Sequence, residues 1–152
     1  MPITYQQEFL LSAQNEIVPL LEDHWKEVSS YPQEIVLNPN WEVYHFLEKM
    51  GILSIFTARD NGKLVGYLST MSQSSLHHKD SVFAVTDAIF IKEDYRKGFT
   101  GIRLIRFAEF ALKQDGVSVF TINTTVYKPF DKLLLWMGFK HIESTYSKFL
   151  RY

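Results

Sequence analysis

The residue types that could do chemistry are concentrated between positions 87 and 116. An apolar strand that ends near Ile91 leads into a basic loop at residues 95–101, which carries Gly98 and Gly101, and a long amphipathic helix follows. Glycine lets the backbone approach a ligand closely, and the free N–H groups of a helix's first turn point at an anion with the positive end of the helix dipole behind them. The pattern predicts an anion-binding site.

This loop matches neither of the two common phosphate-binding motifs. It contains no G-x-G-x-x-G, because Gly98 and Gly101 are only three residues apart, and the chain contains no G-x-x-x-x-G-K-[ST]. Taken alone, the loop is equally consistent with an ordinary strand-to-helix turn that carries arginine and lysine on its surface.

Composition limits the classes of function. The 152 residues predict one domain, residues 1–152, and a net charge of −1 argues against nucleic acid or an anionic membrane as the main partner. The absence of cysteine excludes disulfides and a catalytic thiol, and the five histidines show no spacing for metal ligands, so we expect no metal. Without an evident signal peptide or a long apolar run, we expect a cytoplasmic protein.

The elements that must position the loop are read from periodicity and turn residues. The sequence Asn61-Gly62 is a strong hairpin signal between two apolar runs, and Pro19 suits a helix only in its first turn. We predict strands at residues 3–11, 52–59, 63–71, 82–92, 117–126, 139–143 and 146–150. Helices are predicted at residues 12–29, 41–50, 100–114 and 129–137. This order indicates a mixed α/β (α+β) layer rather than a doubly wound sheet.

The loop and its context resemble the GNAT family of acyl-CoA-dependent N-acyltransferases. Residues 91–101 read IKEDYRKGFTG, similar to the family's strand end V-x-P-x-Y-R followed by R/Q-x-x-G-x-G/A. Gly101 occupies the last glycine position, Phe99 stands where the first glycine is usual, and Gly98 comes one residue early. The later Y-x-x-x-G-F signature keeps Gly138 and Phe139 but has Leu134 in place of tyrosine. Small acyltransferase-like proteins of bacteriophages are also similar, to a lesser degree.

The resemblance implies a GNAT-like fold, with a mostly antiparallel sheet, splayed central strands and flanking helices. It also implies acetyl-CoA as the acyl donor, with its pyrophosphate on the backbone N–H groups of residues 97–102. Pantetheine would pair with the strand at residues 90–92, and the Ile91 N–H would stabilise the thioester oxyanion. The candidate cofactor-binding residues are Phe90, Ile91, Arg96, Lys97, Gly98, Phe99, Thr100, Gly101, Ile102, Arg103 and Asn123.

The resemblance further implies transfer of the acetyl group to an amine, which must lose a proton before it attacks. Asp87 is the candidate general base, because an acidic residue is frequent at that place in the family and burial among apolar neighbours would raise its pKa. With Leu134 in the tyrosine position, Tyr127 and Tyr146 are the candidate acids, although packing is the ordinary role for either.

Two functional hypotheses follow from the sequence. The first is an enzyme that transfers an acetyl group from acetyl-CoA to a primary amine of a small molecule or a protein. The second is a degenerate GNAT-fold protein that binds CoA or serves as an interaction or virion-associated component, which the departures at Phe99 and Leu134 favour. The acceptor's identity and a homodimeric state are left open.

Overall fold

The computed structural model describes residues 2–150. Nine regular elements follow one another, with a short 3-10 turn at Glu93–Tyr95 before the third long helix. In chain order they are β1 Thr4–Glu8, α1 Leu10–Val28, α2 Trp41–Lys49, β2 Leu53–Asp60, β3 Lys63–Ser74, β4 Val82–Ile91, α3 Thr100–Gln114, β5 Val117–Thr121 and α4 Asp131–Trp136.

The five strands form one mixed sheet in the order β1-β2-β3-β4-β5. The first three neighbouring pairs are antiparallel, and β5 alone runs parallel to its neighbour, β4. The β2–β3 hairpin turns at Asn61 and Gly62, which both have positive φ, at 51° and 80°. These values fit the type I′ turn that the Asn-Gly sequence predicts.

Helices cover both faces of the sheet. On one face α1 buries Leu10, Ile17 and Leu20 against β2, β3 and β4, with α2 alongside. On the other face α3 buries apolar side chains, among them Leu104 and Ile105, against Phe56 and Leu68. The predicted mixed α/β layer is therefore confirmed.

Strands β4 and β5 separate part-way along their length. Their pairing covers only the stretch of β4 from Val82 to Val85. At the point of separation the Thr86 hydroxyl oxygen accepts a hydrogen bond from the Asn123 N–H, at 3.0 Å. Beyond it, the edge of β4 that faces β5 has no strand partner among residues 2–150. The predicted splayed central strands are confirmed.

Three details of the prediction were wrong. Residues 139–150 form no strands. The segment from 140 to 150 is exposed, so its apolar residues have no buried face to pack against. Tyr31 contacts this segment through a 2.8 Å hydrogen bond with Ser147. Helix α1 begins at Leu10 and runs through Pro19, well beyond its first turn. The Leu10 N–H lies at the helix start and so has no acceptor within α1. It donates instead to the Glu48 carboxylate of α2 at 2.7 Å. Strand β5 ends at Thr121 rather than at residue 126.

Candidate active site at the bulge of strand β4

A β-bulge determines where Asp87 points. In the β3–β4 ladder Ser69 pairs with Ala88 and Thr70 pairs with Thr86, so Asp87 is the extra residue. Without a bulge, neighbouring side chains would alternate between the two faces. Here both Asp87 and Ala88 border the same cavity under α1 and α2. Bulges commonly re-aim a side chain in this way.

The Asp87 carboxylate is held by two hydroxyl groups. Tyr44 of α2 donates to Oδ2 at 2.8 Å, and Ser69 of β3 donates to the same oxygen at 3.0 Å. Among the described residues, Oδ1 has no hydrogen-bond partner. The expected burial of Asp87 is wrong, because the bulge brings its side chain to the exposed mouth of the cavity rather than into the apolar layer.

The cavity beside Asp87 is small, at about 20 Å³. Its walls come from α1, α2 and the three central strands. The lining residues are Leu10, Ile17, Leu21, Trp41, Tyr44, Ile55, Tyr67, Ser69, Asp87 and Ala88. A predominantly apolar cavity with a few polar groups at one end is the usual composition of a small-molecule site.

Two tyrosines of this cavity stay protonated at any physiological pH. Burial raises the pKa of Tyr44 above its usual range, and the neighbouring Asp87 carboxylate raises it further. Burial likewise raises the pKa of Tyr67, with Tyr44 and Asp87 adding to the effect. Tyr67 is only 3% exposed, and its hydroxyl is buried without a hydrogen-bond partner among the described residues.

The two predicted acids lie away from this cluster. Tyr127 follows β5 and is 52% exposed, and Tyr146 lies in the C-terminal segment and is 92% exposed. Neither lines the cavity beside Asp87. Leu134, which stands in the place of the family's tyrosine, is buried in the core under α3. The structure thus brings Tyr44 and Tyr67 to Asp87 instead of Tyr127 and Tyr146.

The open edge of β4 presents backbone groups to the gap between the strands. The Lys92 N–H donates to Val65 of β3 at 2.9 Å, so the alternation of the strand turns the N–H of Ile91 to the other side, toward the gap. Phe90 faces the α1 side, where the His24 ring lies 5.5 Å from it and the Arg96 guanidinium lies 5.1 Å from it. Asn123 begins the far wall of the gap.

The loop before α3 has the conformation that an anion cradle requires. Gly98 adopts φ 122°, a value that suits glycine, whereas Phe99 has φ −107° and needs no special residue. Phe99 is the N-cap residue, its side chain makes no capping hydrogen bond, and the first turn contains no acidic residue. The N–H groups of Thr100, Gly101 and Ile102 therefore remain available at the positive end of the helix dipole.

The basic side chains of this loop differ in their availability. Arg96 donates to the Ile91 carbonyl at 2.7 Å and to both Glu27 carboxylate oxygens at 2.9 and 3.0 Å. Lys97 is exposed, and Arg103 is exposed with its guanidinium 5.9 Å from the ring centre of Phe99. Arg96 thus fixes the loop to β4 and α1, and Lys97 and Arg103 are the cations free to meet an anion.

Sequence reasoning identified part of this site and missed part of it. It named Asp87 as the candidate base, whereas Tyr44 and Tyr67 were not assigned a catalytic role. Ser69 carried no signal, because a serine inside an apolar strand looks like any other small residue. The bulge that joins these side chains arises from strand register, which no local pattern in the sequence announces.

Two structural features are relevant to metal binding and to membrane insertion. Residues 2–150 contain no group of three histidine or acidic side chains placed to hold a metal ion. Among the same residues, no helix combines the length and the apolar character that crossing a bilayer requires.

Comparison with known proteins defines the class of fold. No family model and no curated protein matches the sequence. A GNAT-family acetyltransferase of Staphylococcus aureus is 17% identical, with 99% of this chain and 100% of that chain covered and a TM-score of 0.67. The glucosamine-6-phosphate N-acetyltransferase of Arabidopsis thaliana is 12% identical over 99% and 100% of the two chains, with a TM-score of 0.74.

A third solved structure, a transcriptional regulator from Bacillus halodurans C-125, is 18% identical over 98% of this chain and 100% of that chain, with a TM-score of 0.77. At such low identity these likenesses concern the architecture of the chain. They show that this chain has the GNAT fold, as the resemblance of the loop implied.

Proposed function

We propose that the chain, as a single domain, is an acyltransferase that moves an acetyl group from acetyl-CoA to a primary amine. The observation that carries the proposal is the juxtaposition at the β4 bulge. An oriented carboxylate, Asp87, lies on one face of the strand, and an open backbone edge with a free first helical turn lies beyond it.

The donor side fits acetyl-CoA on the residues present. The free N–H groups of residues 100–102, together with Lys97 and Arg103, would hold the pyrophosphate, and the open edge of β4 would pair with the pantetheine amides. Bound there, acetyl-CoA supplies an activated acyl group. The N–H of Ile91 faces the gap and would donate to the thioester oxygen as negative charge develops on it.

The acceptor side supplies a base. A primary ammonium has a reference pKa of about 10.4, so it must lose a proton before its nitrogen can attack. Asp87 Oδ1 would receive that proton, while Tyr44 and Ser69 hold Oδ2 and so fix the plane of the carboxylate. The amine nitrogen then bonds to the acyl carbon, the carbon–sulfur bond breaks, and CoA leaves as the thiolate or thiol.

Two measurements test the proposal. Acetyl-CoA at a hundred times its Kd stabilises a protein that binds it by about 2.7 kcal/mol, so millimolar ligand should raise the Tm. Thiol release from acetyl-CoA should then depend on an added primary amine. An unchanged Tm with millimolar acetyl-CoA would refute acetyl-CoA binding and the enzyme together.

A second candidate function is CoA binding without transfer. The ion pair between Arg96 and Glu27 favours it, because this arginine of the loop motif is committed to α1. A rise in Tm with acetyl-CoA, without thiol release on any amine, would support this candidate.

A further inference from the structure

The Tyr67 hydroxyl is a buried polar group that the fold leaves without a partner. The residue is 3% exposed, and no described residue donates to or accepts from its oxygen. A buried hydroxyl without a hydrogen bond destabilises a folded protein, whereas a phenylalanine would fill the same space at no such cost. A ligand that hydrogen-bonds to this oxygen gives it a function.

The surroundings of this hydroxyl specify a cation. Asp87 and Tyr44 are close enough to Tyr67 that both raise its pKa, so the hydroxyl remains neutral and its oxygen can accept a hydrogen bond. The Asp87 Oδ2 atom is occupied by Tyr44 and Ser69, and Oδ1 is open. Asp87, with one open carboxylate oxygen, and Tyr67, with an open hydroxyl oxygen, therefore line the same cavity.

The size of the cavity limits what enters it. A volume of about 20 Å³ exceeds the roughly 10–15 Å³ that one water molecule requires. A primary ammonium group is of similar size, and its three N–H donors suit acceptors on more than one side. At this volume the cavity holds the ammonium group alone, so the carbon next to the nitrogen would lie at the mouth, and branching at that carbon would collide with the wall.

We infer that the Tyr67 hydroxyl is a positioning group for the acceptor, which accepts a hydrogen bond from a primary ammonium held also by Asp87 Oδ1. The acceptor class is then an unhindered primary amine. This inference rests on the proposed function of the same site. Acceptors that carry several cations, such as aminoglycosides or polyamines, would need further carboxylates. The cavity wall does not supply them, because Asp87 is its single acidic residue.

The test compares two buried hydroxyls with the same defect. Tyr67→Phe removes the unpartnered hydroxyl in the cavity, and Thr70→Val, the matched control, removes another buried hydroxyl without a partner, from the same strand β3. Because neither change breaks an internal hydrogen bond, both variants should keep or raise the Tm of the wild type. Binding of n-butylammonium is measured by calorimetry without acetyl-CoA, and its turnover by thiol release.

We expect Tyr67→Phe to raise the Kd and KM for n-butylamine at least tenfold, the loss typical of a hydrogen bond to a charged group, with the acetyl-CoA Tm shift unchanged. Thr70→Val should leave both constants as they are. The hindered isomer tert-butylamine should bind at least tenfold more weakly than n-butylamine to the wild type, and this difference should shrink in Tyr67→Phe.

The outcomes separate the inference from the proposed function. Unchanged n-butylamine constants in Tyr67→Phe, or a Tm well below that of Thr70→Val, would overturn the inference while acetyl transfer stood. Tyr67-dependent binding of n-butylammonium, without thiol release on any amine, would support the inference and refute the enzyme. If the wild type neither binds nor acetylates n-butylamine, the inference fails, and thiol release with a different amine would still sustain the enzyme.

Discussion

The two sides of strand β4 present different kinds of chemical group, side chains on one side and mostly backbone N–H donors on the other. On the α1–α2 side, three side chains from α2 and β3 surround the Asp87 carboxylate of β4 and its cavity. On the side of the gap toward β5 and α3, the groups at the open edge are mostly backbone N–H donors, at Ile91 and at residues 100–102. In the proposed function, the first side recognises the acceptor amine, and the second recognises the charge and shape of acetyl-CoA.

This difference has a consequence for substitution. Backbone donors survive a change of side chain, so Phe99 can replace the family's glycine while the neighbouring Gly98 supplies the positive φ. A side-chain cluster does not tolerate substitution in this way, because replacing a residue removes its hydroxyl or carboxylate and no neighbouring group takes its place. We therefore expect single substitutions to have large effects on the α1–α2 side and small effects on the loop.

The largest effect is expected for Asp87→Asn. An amide cannot accept the proton of the ammonium, so kcat/KM for the amine should fall roughly 10²–10⁴-fold, the usual contribution of a general base. The acetyl-CoA Tm shift should persist, because the donor groups lie elsewhere. Equal activity in this variant and the wild type would show that the two sides do not differ as described.

A second carboxylate, Glu8, provides the structural contrast to Asp87. Burial opposes its charge, but hydrogen bonds from Arg59 and Thr57 prevail and lower the pKa of Glu8 to about 2. A depressed pKa gives stability that is present above the unfolded value of 4.5 and is lost as the pH falls toward 2. Glu8→Gln should therefore flatten this acid limb of the unfolding free energy.

At pH 7 we expect Glu8→Gln to cost roughly 1–3 kcal/mol, because Arg59 is 9% exposed and would keep only Glu16 as its ionic partner. Urea unfolding between pH 7 and pH 2.5 measures both quantities. Parallel pH profiles of the unfolding free energy for Glu8→Gln and the wild type would contradict the assignment of the acid limb to Glu8.

The third effect concerns the point where the two sides meet. A Cβ at Gly66 of β3 would lie 2.5 Å from Ile91 Cδ1 and 3.0 Å from the Phe90 carbonyl oxygen. Gly66→Ala should therefore destabilise the fold by about 1–3 kcal/mol, as overpacking does, and disturb the open edge of β4. Gly101→Ala is the matched control, because its Cβ would meet Ile91 Cγ1 at an ordinary 3.8 Å.

Urea unfolding distinguishes these two glycines. We expect Gly101→Ala to leave the unfolding free energy unchanged or to raise it by up to about 1 kcal/mol, since alanine favours a helix. A Gly66→Ala variant as stable as Gly101→Ala would mean that the β3–β4 contact is looser than the structure shows.

The smallest effect is expected for Arg103→Ala. Its guanidinium is exposed beside Phe99, and exposed ionic contacts contribute little, so the Kd for acetyl-CoA should rise only roughly two- to fivefold. Arg106→Ala, exposed on the same helix one turn further on, should leave the Kd unchanged. A loss above a hundredfold at Arg103 would show that side chains, rather than backbone donors, dominate the loop.

Local patterns in the sequence determined much of the architecture. The Asn61-Gly62 turn, the amphipathic helix from Thr100 to Gln114 and the glycine loop before it were all predicted and are present. Each depends on interactions between residues close in the chain, where turn chemistry and helical periodicity act directly. The same patterns were wrong for residues 139–150, because their apolar alternation did not reveal that the segment stays exposed.

The tertiary structure alone decided the cluster of side chains around Asp87. Asp87 stood out in the sequence, but its exposure, its partners Tyr44 and Ser69, and the unpartnered Tyr67 hydroxyl depend on a bulge in the β3–β4 register. Register is set by the packing of whole strands against two layers of helices, so contacts between residues 18 and 43 positions apart in the chain do not appear in any local pattern. The loop before α3 could be predicted from the sequence because its candidate donors are backbone groups. The cluster around Asp87 could not be predicted, because its donors and acceptors are side chains that only the fold brings together.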